Sequence, residues 1–260
     1  MYKRQTLPFR HTLGLLDAVV LLLVFAGYGL RVAEAPAEEP ELEGVAAWLG
    51  ALGARRRRLC ALTLLVTATT VIFLCASAFA DALVASGSVL HIDPFFLIQW
   101  LAPLASEAPE LVIATIYAWR LRAAVGLSAL VSSKVNQWTV LVGSLPLTFA
   151  IASHSLQGLP LSTLSRQELA LTAAQSVLGV AVLGNLELTT VEAASVFGLF
   201  VAEFVGVVVV PAGARGAVRL SFAVVYLVLG AAILFVKRRD TVALVRDGFR
   251  TPYAELGGPT

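Results

Sequence analysis

The chain has 260 residues, of which 58% are hydrophobic and 14% charged, with a net charge of +2 and a mean hydropathy of +0.84. Soluble domains run to about half apolar and a quarter charged, so this composition excludes an ordinary water-soluble domain. A net charge this small leaves no electrostatic footprint for nucleic acid.

The apolar residues arrive in seven blocks, at about 13–31, 59–84, 94–119, 124–151, 167–184, 190–210 and 219–236. A bilayer crossing takes roughly 20 such residues per helix. The pattern therefore predicts an all-α polytopic transmembrane bundle of about seven helices. The first block follows the basic start Met1-Tyr2-Lys3-Arg4 with no small-residue cleavage site behind it, so it is a retained helix rather than a signal peptide. The linker 32–58 opens acidic (Glu34, Glu38, Glu39, Glu41, Glu43) and turns apolar around Trp48-Leu49. It closes on Arg55-Arg56-Arg57-Arg58. It reads as a solvated stretch and a short interfacial helix, with the arginines as a topology anchor.

In the second block, Cys60 and Cys75 are 15 residues apart. At the rise of an α-helix they stand about 22 Å apart along one axis and cannot bond to each other. Ser86-Gly87-Ser88 and Asp93-Pro94 separate blocks two and three, with Asp81 capping or anchoring the end of block two. Arg120-Leu121-Arg122 is a short turn, and His154 to Ser165 a longer loop. Gly184-Asn185 closes the fifth block and Pro211-Ala212-Gly213 the sixth. The three histidines all fall near predicted helix ends.

Placing the linker in the cytoplasm puts Arg31, Arg55 to Arg58, Arg120, Arg122, Lys237, Arg238, Arg239, Arg246 and Arg250 inside. Lys3, Arg4, Arg10, Arg166, Arg215 and Arg219 are then outside. The positive-inside rule accordingly predicts a multi-pass cell-membrane protein with an external N-terminus and a cytoplasmic C-terminus.

Polar residues in the third and fourth blocks carry the chemistry. Glu107 and Glu110 sit with Pro103 and Pro109 in the middle of an apolar run. A charge at that depth costs from a few to over ten kcal/mol and must face a cavity, a partner charge or an ion. Pro109 has no N–H for the carbonyl of Ala105, which predicts a broken helix lining a polar space. Carbonyl, hydroxyl and carboxylate oxygens together suit hard cations. Two carboxylates three residues apart share a helix face and raise each other's proton affinity. In the fourth block Ser132, Ser133, Lys134, Asn136 and Gln137 cluster between apolar stretches. An intramembrane lysine normally pairs with an acid, and Glu107 and Glu110 are the acids at hand. No nucleophile with its base, no paired aspartates and no metal-binding histidine pair lies at membrane depth, so an enzyme is not expected.

Ala105 to Leu111 resembles the G-T-S-x-P-E-L motif of the calcium/cation antiporter superfamily, of the sodium/calcium exchanger type. Ser132-Ser133-Lys134-Val135-Asn136-Gln137, continued by Val140-Leu141-Val142-Gly143, resembles that family's G-S-N-x-x-N element. The two occur in family order on consecutive spans, and the resemblance extends over roughly residues 60–210. It implies that Glu110 is the ion-binding acid and that Ser106, Ser133 and Gln137 supply oxygen ligands. Glu107 would hold an ion or a proton, with Ser132 and Asn136 as polar neighbours. There are three departures: Glu107 stands for a serine, Ser132 for a glycine and Lys134 for an asparagine. Two opposite unit charges about 4 Å apart attract by about 4 kcal/mol at an effective dielectric near 20. Lys134 can thus fill charge space that a cation would take, which favours monovalent-cation/proton exchange, or loss of transport, over calcium exchange.

The family also implies two inverted repeats around a midplane site, whereas one motif pair is present here. Residues 1–31 then read as the tail and last helix of a first repeat, and 32–58 as the cytoplasmic linker. The exchanger-like repeat spans 59–211, an additional helix 212–236 and a cytoplasmic tail 237–260. Either the chain is a truncated exchanger, which the leftover helix and linker favour, or two chains assemble as a homodimer. The expected function is secondary cation antiport by alternating access, with Na+, Ca2+ or H+ as cargo, no cofactor, and lipid as the surrounding partner. The alternative is a transport-inactive half-protein or assembly module in which Glu107–Lys134 is a structural ion pair.

Overall fold

A computed structural model describes residues 11–35, 44–90 and 102–252, with the side chains of residues 102–106 outside the described set. Six helices among the described residues are long and apolar enough to cross a bilayer. The fold is an all-α polytopic bundle, as the sequence predicts. The chain divides into two compact units, one made of Met1–Pro36 with Asn136–Thr260 and the other of Ala37–Val135.

In the first unit, α1 (Leu15–Ala33) starts where the Gly14 N–H donates to Asp17 Oδ2 at 2.8 Å. Buried Asp17 therefore serves the helix start, where a carboxylate also meets the positive end of the helix dipole. α1 packs along α6 (Val142–Ser153). Gly143 permits the approach, since a Cβ there would lie 3.2 Å from Leu21 Cβ. The two-residue strands β1 (Thr12–Leu13) and β2 (Leu159–Pro160) pair antiparallel and tie the start of α1 to the loop behind α6.

The core of this unit is α7 (Thr163–Val182), α8 (Thr190–Val209) and α9 (Ala212–Val236). Leu171, Ala174, Leu178 and Val182 pack with Ala223 and Tyr226. Gly230 brings α9 against α7, for a Cβ there would come within 3.2 Å of the Leu178 backbone nitrogen. Two polar links bind the same helices. Glu168 Oε1 and Arg219 Nε approach to 2.5 Å. Glu203 Oε2 accepts from Gln175 Nε2 at 2.7 Å and from the Tyr226 hydroxyl at 3.2 Å. Gln175 is thus the interhelical hydrogen-bonder its position predicts.

α9 corrects one expectation, that Arg215 and Arg219 are external charges at the edge of the seventh apolar block, 219–236. Pro211 adopts extended backbone and the helix starts at Ala212, the first residue of the additional helix 212–236. Arg219 is buried at 4% exposure opposite Glu168 and does not count toward topology. An arginine inside a span is tolerated where an acid on the neighbouring helix meets it. Removing one partner of a buried pair costs about 3–5 kcal/mol, while replacing both with apolar residues is often neutral. Arg219→Met should therefore lower the thermal unfolding midpoint in detergent, and Glu168→Leu with Arg219→Met should recover most of it.

The second unit holds α2 (Val45–Ala51), α3 (Ala54–Val89), α4 (Ala102–Trp119) and α5 (Ala123–Asn136, whose last residue belongs to the first unit). α2 is the short helix expected around Trp48. α3 takes in all four linker arginines and runs through Ser86-Gly87-Ser88. That tripeptide was expected to separate two spans, and Asp81 to cap the first. Glycine and serine weaken a helix without removing a backbone donor, as proline does, so the helix continues. Ser88 Oγ bonds back to the Ala85 carbonyl at 2.7 Å, and Asp81 is interior to α3. Cys60 and Cys75 are both free thiols on it. Asp93-Pro94 and Gln99 lie outside the described residues. The tail beyond Lys237 contains a further helix, α10 (Arg238–Arg250).

Candidate ion site

α4 and α5 form an antiparallel hairpin closed by the turn at Arg120-Leu121-Arg122, where Leu121 takes a left-handed φ of 59°. Gly126 sets their spacing. A Cβ there would lie 2.9 Å from the Ala114 carbonyl oxygen, so only glycine lets the two backbones meet. Ala114, Glu110 and Glu107 recur at helical spacing and face α5. From that register Glu110 meets Ser133 and Glu107 meets Lys134. Ser133 Oγ donates to Glu110 Oε2 at 2.8 Å. Lys134 Nζ lies 2.6 Å from Glu107 Oε2, with the glutamate 27% and the lysine 50% exposed.

Glu107, Glu110, Ser133 and Lys134 are thus brought together. Ser132 is exposed on the same helix, and Asn136 is exposed at its end. Ser106 stands on α4, but its side chain lies outside the described residues. Gln137 belongs to the first unit and opens a π-helical segment, Gln137–Leu141, in which Val142 N–H reaches the Gln137 carbonyl. That segment was not foreseen, because one extra residue per turn leaves no compositional mark. π-turns concentrate at functional positions, and this one follows directly on the polar cluster.

The expected break at Pro109 takes a milder form. α4 carries the proline in its interior and remains helical from Ala102 to Trp119. Proline removes the one donor for the Ala105 carbonyl, while the neighbouring rungs persist. Among the described residues no group of three histidine, cysteine, aspartate or glutamate side chains gathers as a metal centre. The cluster offers two carboxylates and one hydroxyl as oxygen donors, with a tethered ammonium beside them. An open cleft elsewhere on the hairpin, lined by Leu111, Ala114, Gly126 and Leu130, is mostly apolar, with Thr115 as its one polar side chain.

Residues 60–229 match the family described as sodium/calcium exchanger protein. A crystal structure of the H+/Ca2+ exchanger CAX resembles the chain with a TM-score of 0.83 and 36% sequence identity. The similarity covers 94% of this chain and 61% of that one, so the chain spans less than two thirds of that relative. No curated protein matches the sequence. The family match covers more than half of the residues and includes both motif helices, and the chain belongs to the sodium/calcium exchanger protein family.

Proposed function

We propose that the protein is a secondary cation antiporter working by alternating access, with the α4–α5 hairpin as one half of its ion site. The observation that carries this reading is the bridge from Ser133 Oγ to Glu110 Oε2, which joins the two motif helices at the positions the family resemblance assigns to ligands. Glu110 holds the ion, Ser133 with Ser106 and Gln137 supplies neutral oxygens, and Glu107 binds an ion or a proton. Lys134 neutralises Glu107 and biases the site toward monovalent cations exchanged for protons. The resemblance to the H+/Ca2+ exchanger CAX supports a proton as the counter-ion. A first-repeat half or a second copy of the chain completes the site, and the N-terminus is external.

The second reading, a purely structural Glu107–Lys134 pair, has the 2.6 Å contact in its favour. Proteoliposomes separate the two. Antiport predicts uptake of radiolabelled sodium or calcium driven by an outward-directed proton gradient and abolished by a protonophore. A sealed preparation, with the first-repeat half co-reconstituted, that takes up neither ion would contradict antiport and leave the structural pair.

A further inference from the structure

We infer that α10 lies in the plane of the membrane surface as an interfacial helix that reads anionic lipid headgroups, rather than trailing into water as part of a solvated tail. The inference needs only that the chain is membrane-embedded and does not rest on antiport. α10 follows the α9 span after the single residue Lys237. Both of its ends are pinned to the ends of other helices in the same unit. At its start, Lys237 Nζ donates to the Val182 carbonyl at 2.9 Å, to Asn185 Oδ1 at 2.8 Å and to Glu192 Oε1 at 2.9 Å. Thr241 packs on Gly184, where a Cβ would lie 2.9 Å from its Oγ1. At the far end, Arg31 at the end of α1 donates to the Gly248 carbonyl at 2.8 Å and also to the Thr251 carbonyl. A helix held at one end by the α7–α8 junction and at the other by the end of α1 runs across the helix ends, where the spans leave the hydrocarbon.

From Arg239 onward the side chains of α10 sort into four directions, while Arg238 at the first position lies in line with the apolar stripe and folds back over the Phe235 ring, 4.8 Å from its centroid. At about 100° per residue, Val242, Val245 and Phe249 fall within about 60° of one another. They are 67%, 54% and 85% exposed, so the described residues leave this stripe largely uncovered. Thr241, Leu244 and Gly248 lie a quarter turn to one side, toward the contacts just described. Arg239, Arg246 and Arg250 lie a quarter turn to the other side and are exposed. Asp240 and Asp247 point opposite the apolar stripe, with Arg246 Nε also 3.1 Å from Asp247. With the apolar stripe toward the acyl boundary, the protein stands on one flank, the arginines reach headgroup level on the other, and the aspartates face water. That sorting is what an in-plane amphipathic helix requires, and the basic flank selects anionic lipid.

The test uses the full chain, carrying Cys60→Ala and Cys75→Ala, in nanodiscs of phosphatidylcholine with or without phosphatidylglycerol. A spin label is attached at Val245→Cys or at Asp240→Cys. In discs containing phosphatidylglycerol, the label at 245 should relax with oxygen and be shielded several-fold from a water-soluble paramagnetic agent, and the label at 240 should do the reverse. Removing phosphatidylglycerol, or introducing Arg239→Glu, Arg246→Glu and Arg250→Glu together, should raise the aqueous accessibility at 245 several-fold. Equal aqueous accessibility at both positions would overturn the inference, as would shielding at 245 that ignores headgroup charge. Shielding at 245 from both agents would mean a protein-covered face and would overturn it too.

Discussion

Glu110→Gln should reduce cation uptake into proteoliposomes to the level of empty vesicles while leaving the protein folded. The substitution keeps the size of the side chain and an oxygen for the Ser133 hydroxyl, now 2.8 Å from Glu110 Oε2, so the hairpin survives. What it removes is the negative charge opposite a desolvated cation. A unit charge about 4 Å from the cation contributes about 4 kcal/mol at an effective dielectric near 20, and each 1.4 kcal/mol is tenfold in affinity, so binding should weaken by about 100-fold or more. Ser133→Ala should do far less, because a neutral hydrogen bond contributes about 1 kcal/mol. Uptake by Glu110→Gln equal to wild type would remove this residue from the site.

The second large effect is expected from Lys134→Asn, which restores the residue the family pattern carries at that position. In the protein as it stands, the Lys134 ammonium lies 2.6 Å from Glu107 and occupies the carboxylate's charge. Replacing it frees Glu107 and removes a positive charge from beside the incoming ion. Two unit charges about 4 Å apart interact by about 4 kcal/mol at an effective dielectric near 20, and half-exposed Lys134 is screened below that. Divalent affinity should therefore rise by about 10- to 100-fold, an increment well inside that limit. A pair that only pins the helices predicts the opposite result. Lys134→Asn would lower thermal stability without any gain in binding, and exchanging the two charges as Glu107→Lys with Lys134→Glu would restore it.

The helix pair of the site was legible in the sequence because ionisable residues inside apolar stretches have few physical excuses. Glu107, Glu110 and Lys134 had to meet partners, and they do. The close packing that lets them meet was less visible, since Gly126 announces itself only once Ala114 is seen opposite. Arg215 and Arg219 in the first turns of α9 read as external loop charges until Glu168 of α7 is found facing Arg219. α3 runs past its expected end for the converse reason: Ser86-Gly87-Ser88 has the composition of a turn but keeps every backbone donor. α10 was hidden by its charge. The spacing of Val242, Val245 and Phe249 was present, yet so polar a segment reads as solvated unless its two anchoring ends are known. The π segment at Gln137–Leu141 left no trace in composition at all.

Antiport at this hairpin requires a cation held between the acids of α4 and the polar face of α5, and equilibrium binding tests this without requiring a transport cycle. Purified wild type, Glu110→Gln and Lys134→Asn would be titrated with radiolabelled calcium and sodium at one pH and one ionic strength. The predicted order of calcium affinity is Lys134→Asn tightest, wild type intermediate, and Glu110→Gln indistinguishable from a no-protein control. Three coincident isotherms from folded protein would place the ion elsewhere and contradict the account.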